Sequence, residues 1–440
     1  MIGTAAQAHS FSRPIRLLLI NQLTINIGFY MLMPYLANHL AGDIGLAMWV
    51  VGLILGVRNL SQQGMFLVGG SLADRIGYKP MILAGLALRT VGFAMLGLAG
   101  SLPWLIVASA LTGLAGALFN PAVRAYLAQE AGERKVEAFA VFNVFYQLGI
   151  LIGPLIGLLL GGVAFRLTCL VAAAVFAVLG FAQARCLPSR RGSRTDADGG
   201  LLRDWRQAFA NRVFLLFSLA MIGSYVLNFQ VYLGLPIEMR RLTGGELGVT
   251  LMFALSGAMA IAGQLRVTAW AKARWEPAQA IVRGLLLMGL SFVPIALCAG
   301  VVPLSSGNGT VLDHLVVMFP LLLTTALLTL ATMIVYPFEM ATVASLGDTR
   351  MVGTYYGLYN TLSGIGITVG NLLSGAAIDA GRRVGLPGLP WWSLAAVGLG
   401  CAMCVRLLAR SSRWTDDPGV HPAADRRRAL SGAERVQGRS

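Results

Sequence analysis

The stretch "FLVGGSLADRIGYKPMILAGL", residues 66–86, joins two apolar runs through a short charged hinge. The hinge places one carboxylate, Asp74, between the basic residues Arg75 and Lys79. Each flanking run is long enough to cross a bilayer as a helix. Asp74 then lies at the C-terminal end of a helix, where the helix dipole disfavours an anion. We therefore expect Asp74 to have a partner from elsewhere in the chain.

The composition extends this membrane reading to the whole chain. Of its 440 residues, 56% are hydrophobic and 12% are charged, whereas a soluble domain has about 25% charged residues. Apolar runs recur from end to end, and backbone polar groups in lipid must be satisfied within each run, which predicts helices. The runs lack the short alternating pattern of transmembrane β-strands. The sequence predicts an all-α integral membrane protein in a lipid bilayer.

We predict twelve transmembrane helices, at 15–40, 46–71, 80–100, 103–128, 136–161, 164–185, 213–236, 246–272, 278–300, 313–343, 352–380 and 389–410. They divide the chain into an N-terminal six-helix bundle (1–185), a cytoplasmic linker (186–212), a C-terminal six-helix bundle (213–410) and a disordered cytoplasmic tail (411–440). The end of the polar linker, 201–211, is predicted to form a short surface helix.

The basic residues set the orientation. With the N-terminus inside, the inner loops hold most of the arginines and all three lysines, and the outer loops hold only Arg166, Arg240, Arg241, Arg382 and Arg383. Positive charge marks the cytoplasmic side, so both termini are predicted to be cytoplasmic. The net charge of +15 is explained in this way and does not point to nucleic acid.

No motif predicts catalysis, a metal site or a cofactor. Cys401 and Cys404 have CxxC spacing but sit in an apolar run without a nearby histidine. The sequence contains no HExxH motif or phosphate-binding loop. We expect neither an enzyme nor a metalloprotein; a membrane enzyme or a receptor-like transporter is the weakest of the alternatives.

An internal repeat relates the two halves. Pro121 corresponds to Pro337 at an offset of 216, and Asn143 corresponds to Asn360 at an offset of 217. The pair Gly149 and Gly153 corresponds to Gly366 and Gly370 at the same offset of 217. Two related six-helix halves are typical of secondary transporters, whose substrate site lies between the repeats.

The hinge resembles the hallmark loop of the major facilitator superfamily, G-x-L-A-D-R/K-x-G-R/K-R/K, between spans two and three. Its matching residues include Gly70, Asp74, Arg75, Gly77 and Lys79, whereas Tyr78 stands where a basic residue is usual. "GILIGPLIGLLL" (149–160) resembles the span-five motif of the drug:proton antiporter branch, and neighbouring stretches are similar to multidrug-resistance transporters of the MdtH type. This resemblance implies a twelve-helix fold in a bacterial inner membrane, acting as a monomer.

The resemblance also implies a conformational latch. The N-terminus of another helix would suit this carboxylate, and span eleven starts on the same membrane side near 352, so Asp74 is expected to meet it. Arg134, or as the weaker alternative Arg124, is expected to add a charge-assisted bond. Such a contact joins the two halves at the cytoplasmic face; the alternative is a solvated local pair with Arg75. In the second half Lys272 stands where the aspartate would be, so we expect the latch on one side only.

The span-five motif places Gly149, Gly153 and Gly157 on one helix face, which predicts close helix packing. Pro154 predicts a kink. In antiporters that this chain resembles, the motif is associated with bending and with limiting leakage.

Charges inside spans are functional candidates because they are costly there. They are Arg58 in span two, Arg124 in span four and Glu339 in span ten. Glu339 is the best candidate for a proton carrier, and a structural pair with Arg124 is the alternative. Related proton-coupled exporters often have an acidic residue in span one, but this chain has Asn21 and Gln22 there.

Helical faces suggest the lining of a substrate cavity. Polar and aromatic residues that align within spans one, two, five, seven and eleven are Gln22, Asn26, Tyr30, Gln62, Asn143, Gln147, Tyr225, Asn228, Tyr359 and Asn360. Such a lining suits an amphipathic ligand; contacts between helices are the alternative for each residue. The leading hypothesis is proton-driven export of small amphipathic molecules. The rival is export of a neutral or anionic endogenous metabolite, such as a siderophore or antibiotic.

Overall fold

The computed structural model describes residues 7–32, 48–98, 100–161, 165–189, 200–243, 247–299 and 311–410, with positions 36, 40, 44 and 46. The predicted tail 411–440 and residues 190–199 of the predicted linker lie outside the described residues. The division of the chain into four regions, with its three boundaries, stays a prediction.

The described chain is helical nearly throughout. The N-terminal bundle consists of α1 Arg13–Tyr30, α2 Met48–Ile76, α3 Tyr78–Leu98, α4 Leu102–Ala131, α5 Lys135–Gly161 and α6 Phe165–Cys186, with a 3-10 turn, Gly132–Arg134, between α4 and α5. The predicted surface helix of the linker is present as α7 Leu201–Ala210. The C-terminal bundle consists of α8 Arg212–Phe229, α9 Gly234–Thr243, α10 Leu247–Arg274, α11 Pro277–Leu290, α12 Val293–Cys298, α13 Val311–Leu346, α14 Val352–Val384 and α15 Leu389–Arg410.

Two predicted spans contain a turn that divides each of them into two helices, and each remains one apolar stretch long enough to cross a membrane. Span 213–236 becomes α8 and α9, separated by a turn at 230–233. Span 278–300 becomes α11 and α12, separated at residues 291–292. Pro294, in the first turn of α12, has no N–H to continue the hydrogen bonding of α11. Apolar composition alone does not reveal such a break.

Nine helical stretches within the described ranges are long and apolar enough to cross a membrane. One of them, Leu102–Gly153, has 52 residues and includes α4 and most of α5, which is enough for two passes. Helices α1 and α2 are not among the nine, because Asn, Gln and Arg residues interrupt their apolar runs. Large apolar side chains face outward, such as Leu60 at 74% and Leu372 at 70% exposure, as expected for contact with lipid.

The two bundles repeat one packing pattern. In the first, α1 packs on α5, α2 on α4 and α3 on α6; in the second, α8 packs on α14, α10 on α13 and α11 on α15. Gly149 and Gly153 of α5 pack against α1, as Gly366 and Gly370 of α14 pack against α8. The bundles meet along α2–α14 and α5–α10, and the candidate functional site lies at this interface.

Candidate functional site

Asp74 links the two bundles at one end of the interface. Its carboxylate is buried, with 1% exposure. Oδ1 accepts a hydrogen bond from the N–H of Gly353 at 2.8 Å, and Oδ2 accepts from the N–H and the hydroxyl of Thr354 at 2.6 and 2.7 Å. Both residues lie in the first turn of α14, where unpaired N–H groups and the helix dipole favour an anion. A carboxylate of one bundle therefore caps a helix of the other.

Sequence reasoning missed the polar groups that complete this contact. The hydroxyl of Tyr78 donates to Asp74 Oδ1 at 3.2 Å, and Gln129 donates to the Tyr78 hydroxyl at 2.9 Å. The resemblance led us to expect a basic residue at position 78, and a buried tyrosine supplies a neutral donor instead. Asp74 lies at the end of one helix and Tyr78 begins the next, so spacing along a single helix did not predict their contact.

Glycines bring α2 and α14 into backbone contact beside Asp74. A Cβ on Gly70 would lie 2.0 Å from the Gly353 carbonyl oxygen, and one on Gly357 would lie 2.4 Å from the Phe66 carbonyl oxygen. Any larger residue at these positions would separate the helices. Gly77, at φ 108°, ends α2 in a conformation that other residues rarely adopt.

The linker helix docks on the same end of the interface. Arg75 Nε and Nη2 donate to Asp204 Oδ2 of α7 at 2.9 and 2.6 Å, and the Asp204 side chain is 2% exposed. Trp205 Nε1 donates to Ser71 Oγ at 2.8 Å. Lys79 instead donates to the carbonyl of Ala184 at 2.8 Å. Arg75 is thus paired with Asp204, which is distant in sequence, rather than in a solvated local pair with Asp74.

The prediction that Arg134 contacts Asp74 is wrong. Arg134 donates to the hydroxyl of Ser10 at 2.9 Å, and its guanidinium lies 4.2 Å above the ring of Phe11. Asp74 has no need of it, because the first turn of α14 and Tyr78 already supply four donors to the carboxylate.

The expectation of a one-sided contact is also wrong. Lys272, at the end of α10, forms an ion pair with Glu137 in the first turn of α5, with Nζ and Oε1 2.5 Å apart. Glu137 precedes Thr354 by 217 positions, the offset that relates Asn143 to Asn360. The second interface therefore carries a contact at the repeat-related place, with the charges reversed. Deeper in it, Asn143 donates to Gln264 of α10 at 2.8 Å.

A cavity of about 200 Å³ lies between the bundles. Five of the predicted functional residues line it: Gln22, Gln62, Arg124, Tyr225 and Asn360. Positions on the same helices, on α5 and on α13 complete the lining, among them Gln63, Phe66, Asn120, Tyr146, Phe229 and Tyr336.

The other predicted lining residues are outside the cavity lining and mostly join helices. Asn26 packs against Gly149, Tyr30 lies 3.5 Å from the Tyr146 hydroxyl, and Asn228 accepts from Thr332 at 3.4 Å. Tyr359 bonds to Glu339, Asn143 bonds to Gln264, and Gln147 is half-buried in α5. A helical face indicates a direction, but the neighbour that occupies it is set by tertiary packing.

In the span-five motif, a Cβ on Gly149 would lie 2.4 Å from Asn26 Cβ, and one on Gly153 would lie 2.7 Å from Tyr30 Cβ. These glycines let α5 approach α1 closely. Helix α5 continues through Pro154 and Gly157, whose surroundings lie outside the described part of the chain.

Arg124 and Glu339 are held by neutral groups rather than by each other. Arg124 Nη1 donates to Asn360 Oδ1 at 2.6 Å, and the guanidinium interacts electrostatically with Tyr336. Glu339 is 4% exposed, accepts a hydrogen bond from the hydroxyl of Tyr359, and interacts electrostatically with Tyr225. The alternative of a direct structural pair is therefore not what the geometry shows.

Arg58 and Arg89 lie inside the N-terminal bundle. Arg58 donates to Asn59 at 3.0 Å and to Gln62 at 3.2 Å, and it lies 4.5 Å above the ring of Phe29. Arg89 is 5% exposed and is surrounded by aromatic rings, those of Phe29, Phe119 and Phe176. Arg89 is not among the charged residues that the sequence singled out as functional candidates.

Two repeated helical bundles around a shared cavity are typical of transporters. The family model of the Major Facilitator Superfamily matches residues 18–371. The chain belongs to this superfamily.

Similar proteins span nearly its whole length. An uncharacterized MFS-type transporter of Mycobacterium tuberculosis is 50% identical over 400 residues, covering 90% of this chain and 94% of the relative. The multidrug resistance protein MdtH of Yersinia pestis is 31% identical over 402 residues, with the same coverage of 90% and 94%. The crystal structure of the human organic anion transporter MFSD10 matches with a TM-score of 0.65 at 17% identity, covering 89% of this chain and 99% of that one. This last likeness is one of fold.

Proposed function

We propose that this transporter exports small amphipathic molecules across a bacterial plasma membrane in exchange for protons, by alternating access. The observation that carries the proposal is the cap that Asp74 places on α14, which ties the bundles together at one end of a cavity between them. The distribution of basic residues assigns that end, and both termini, to the cytoplasm. Similarity to a multidrug resistance protein supports export as the direction.

The contact at Asp74 would act as a latch that is closed when the cytoplasmic entrance is closed. Hydrogen bonds to a charged group contribute about 1.5–3 kcal/mol each. Opening that end breaks three of them, between Asp74 and the start of α14. Differential binding of substrate or proton to the two states must offset this loss.

Glu339 is the proposed proton carrier. It joins α13 to α14 by accepting a hydrogen bond from the hydroxyl of Tyr359. Protonation removes the negative charge that strengthens this bond and makes the carboxyl a donor as well. Gain or loss of one proton at this carboxyl would thus alter the contact between two helices of the C-terminal bundle.

Transport by the full-length protein in proteoliposomes tests the coupling. The probes are three naphthalenes of similar size, 2-naphthoate, 2-naphthamide and 2-naphthylmethylammonium. We expect an imposed pH gradient to accelerate efflux of at least one probe, and Glu339→Gln to lose this acceleration while retaining exchange without a gradient. Glu276→Gln, at the exposed residue before α11, is the matched control. Transport that ignores the gradient in the wild type would refute proton antiport.

A further inference from the structure

The lining of the cavity between the bundles carries formal charge of one sign, which is positive. Of the residues that line it in the described ranges, one is formally charged, and that residue is Arg124. We propose that the cavity takes an organic anion, whose acidic group binds the guanidinium of Arg124. The inference rests on the proposed transport function and names its substrate class.

The contacts of Arg124 leave it able to bind an anion. A guanidinium has five N–H donors. The hydrogen-bond partner shown for it is a neutral oxygen, Oδ1 of Asn360. Asn360 is held in place by a bond from its own Nδ2 to the Tyr356 carbonyl at 2.7 Å, which directs its Oδ1 towards Arg124. Glu339 interacts with this guanidinium electrostatically, but its carboxylate is bonded to Tyr359. Bidentate binding of a ligand carboxylate would give the guanidinium a countercharge in direct contact.

Two further arginines make the surroundings positive. Arg58 is bonded to Gln62, a residue of the cavity lining, and Arg89 lies next to it behind the ring of Phe29. Within the described residues, the Nε atoms of both arginines are buried without a hydrogen-bond partner. Glu339 is the opposing charge, and it accepts a hydrogen bond from Tyr359. A summed field of this sign attracts anions and repels cations.

The remaining lining describes the body of the ligand. Apolar side chains that line the cavity include Phe66, Phe142, Phe229 and Ile367, and the amide groups beside them include those of Gln22 and Asn120. The volume of about 200 Å³ admits a small molecule. Together these features fit a compact aromatic carboxylate, with the acid at Arg124 and the ring against the phenylalanines.

Binding of the three naphthalene probes to the purified full-length protein tests the sign of the charge. The probes differ mainly in the charge of one substituent, so their dissociation constants report on charge recognition. We expect 2-naphthoate to bind at least about tenfold more tightly than 2-naphthamide, and 2-naphthylmethylammonium to bind most weakly, as measured by isothermal titration calorimetry.

Variants assign the preference to Arg124. Arg124→Gln is expected to remove the advantage of 2-naphthoate over 2-naphthamide, and Arg124→Lys to retain part of it because the charge remains. Arg266→Gln, at an exposed arginine of α10, makes the same chemical change away from the cavity and should leave the preference intact. Binding of 2-naphthoate by Arg124→Lys also shows that this variant is folded.

The outcomes separate the two proposals. Four outcomes would each overturn the anion site. They are tightest binding of the cation, equal binding of all three probes, binding of none of them by folded protein, and an anion preference that survives Arg124→Gln. Anion preference combined with transport that ignores a pH gradient would overturn proton coupling and leave the anion site standing. Gradient-driven efflux that favours the cation would overturn the anion site and leave proton coupling standing.

Discussion

Two contacts join the bundles at repeat-related positions, and they differ in kind. Along α2–α14 the backbones touch, and the buried carboxylate of Asp74 accepts from the first turn of a helix. Along α5–α10 the Lys272 and Glu137 side chains form an ion pair while 47% and 23% exposed. Glycine packing is loose there, since a Cβ on Gly257 would lie 3.7 Å from Leu151. The repeat has kept the place of the contact and changed its chemistry.

This difference predicts that the two contacts contribute unequally to closure. Buried hydrogen bonds to a charged group contribute more than an exposed ion pair, which typically contributes about 0–1 kcal/mol and weakens with salt. The α2–α14 contact should therefore set the closed geometry, and the α5–α10 contact should adjust it.

The largest effect is expected from Gly70→Ala. The new methyl group would lie 2.0 Å from a backbone oxygen that no side-chain rotation can move aside. Such overpacking should destabilise the closed contact by about 3 kcal/mol, a loss of roughly a hundredfold. Hydrogen exchange at the amides of Gly353 and Thr354, measured by mass spectrometry, should accelerate, and transport should fall with it.

Gly64→Ala is the matched control, because a Cβ at this position on the same helix meets nothing within 4 Å. Unchanged exchange and transport in Gly70→Ala would show that the backbone contact is not needed for closure.

A smaller effect is expected from Asp74→Asn. An amide has the same shape but only one acceptor oxygen, so at least one donor of the first turn of α14 loses its bond. We expect a loss of about 2 kcal/mol in the closed contact, or roughly thirtyfold, with normal expression. Efflux from proteoliposomes and the same exchange experiment measure it.

Asp348→Asn, a half-buried aspartate just before α14, provides the control for the amide substitution. A fully active Asp74→Asn variant would refute the latch.

The smallest effect is expected from Lys272→Gln. Because the ion pair is partly exposed, we expect less than about a fivefold change in transport rate, and less still at high salt. The double variant Lys272→Glu with Glu137→Lys should restore the wild-type rate and its salt dependence. A loss as large as that of Asp74→Asn would erase the distinction between the two interfaces.

Much of the fold could be predicted because its signals are local. Apolar runs, basic loops and the repeat around Pro121 and Pro337 are each readable in short windows of sequence. The expectation that Asp74 meets the start of span eleven followed from the helix dipole, a local property of two helix ends. The break between α11 and α12 was less accessible, because both sides of it are equally apolar.

The site was predicted less completely because it depends on neighbours. Asn26 and Gln22 lie on the same face of α1, yet Gln22 lines the cavity and Asn26 packs against Gly149. Arg134 was expected at Asp74, and the structure places its guanidinium over the ring of Phe11. The partner of Lys272 was missed because an aspartate was sought at that position rather than a charge-reversed pair.

The amino-acid sequence by itself determined that this chain is a helical membrane protein built from two related halves, with one charged hinge between its second and third spans. Those properties depend on composition, length and spacing, which are local quantities. Tertiary structure alone decided three contacts. Lys272 forms an ion pair with Glu137 at the place that the repeat relates to the contact of Asp74, Glu339 accepts a hydrogen bond from Tyr359, and Arg124 faces the cavity. Each of these is a contact between helices, and the free energy of a buried charge is set by the groups that other helices place around it.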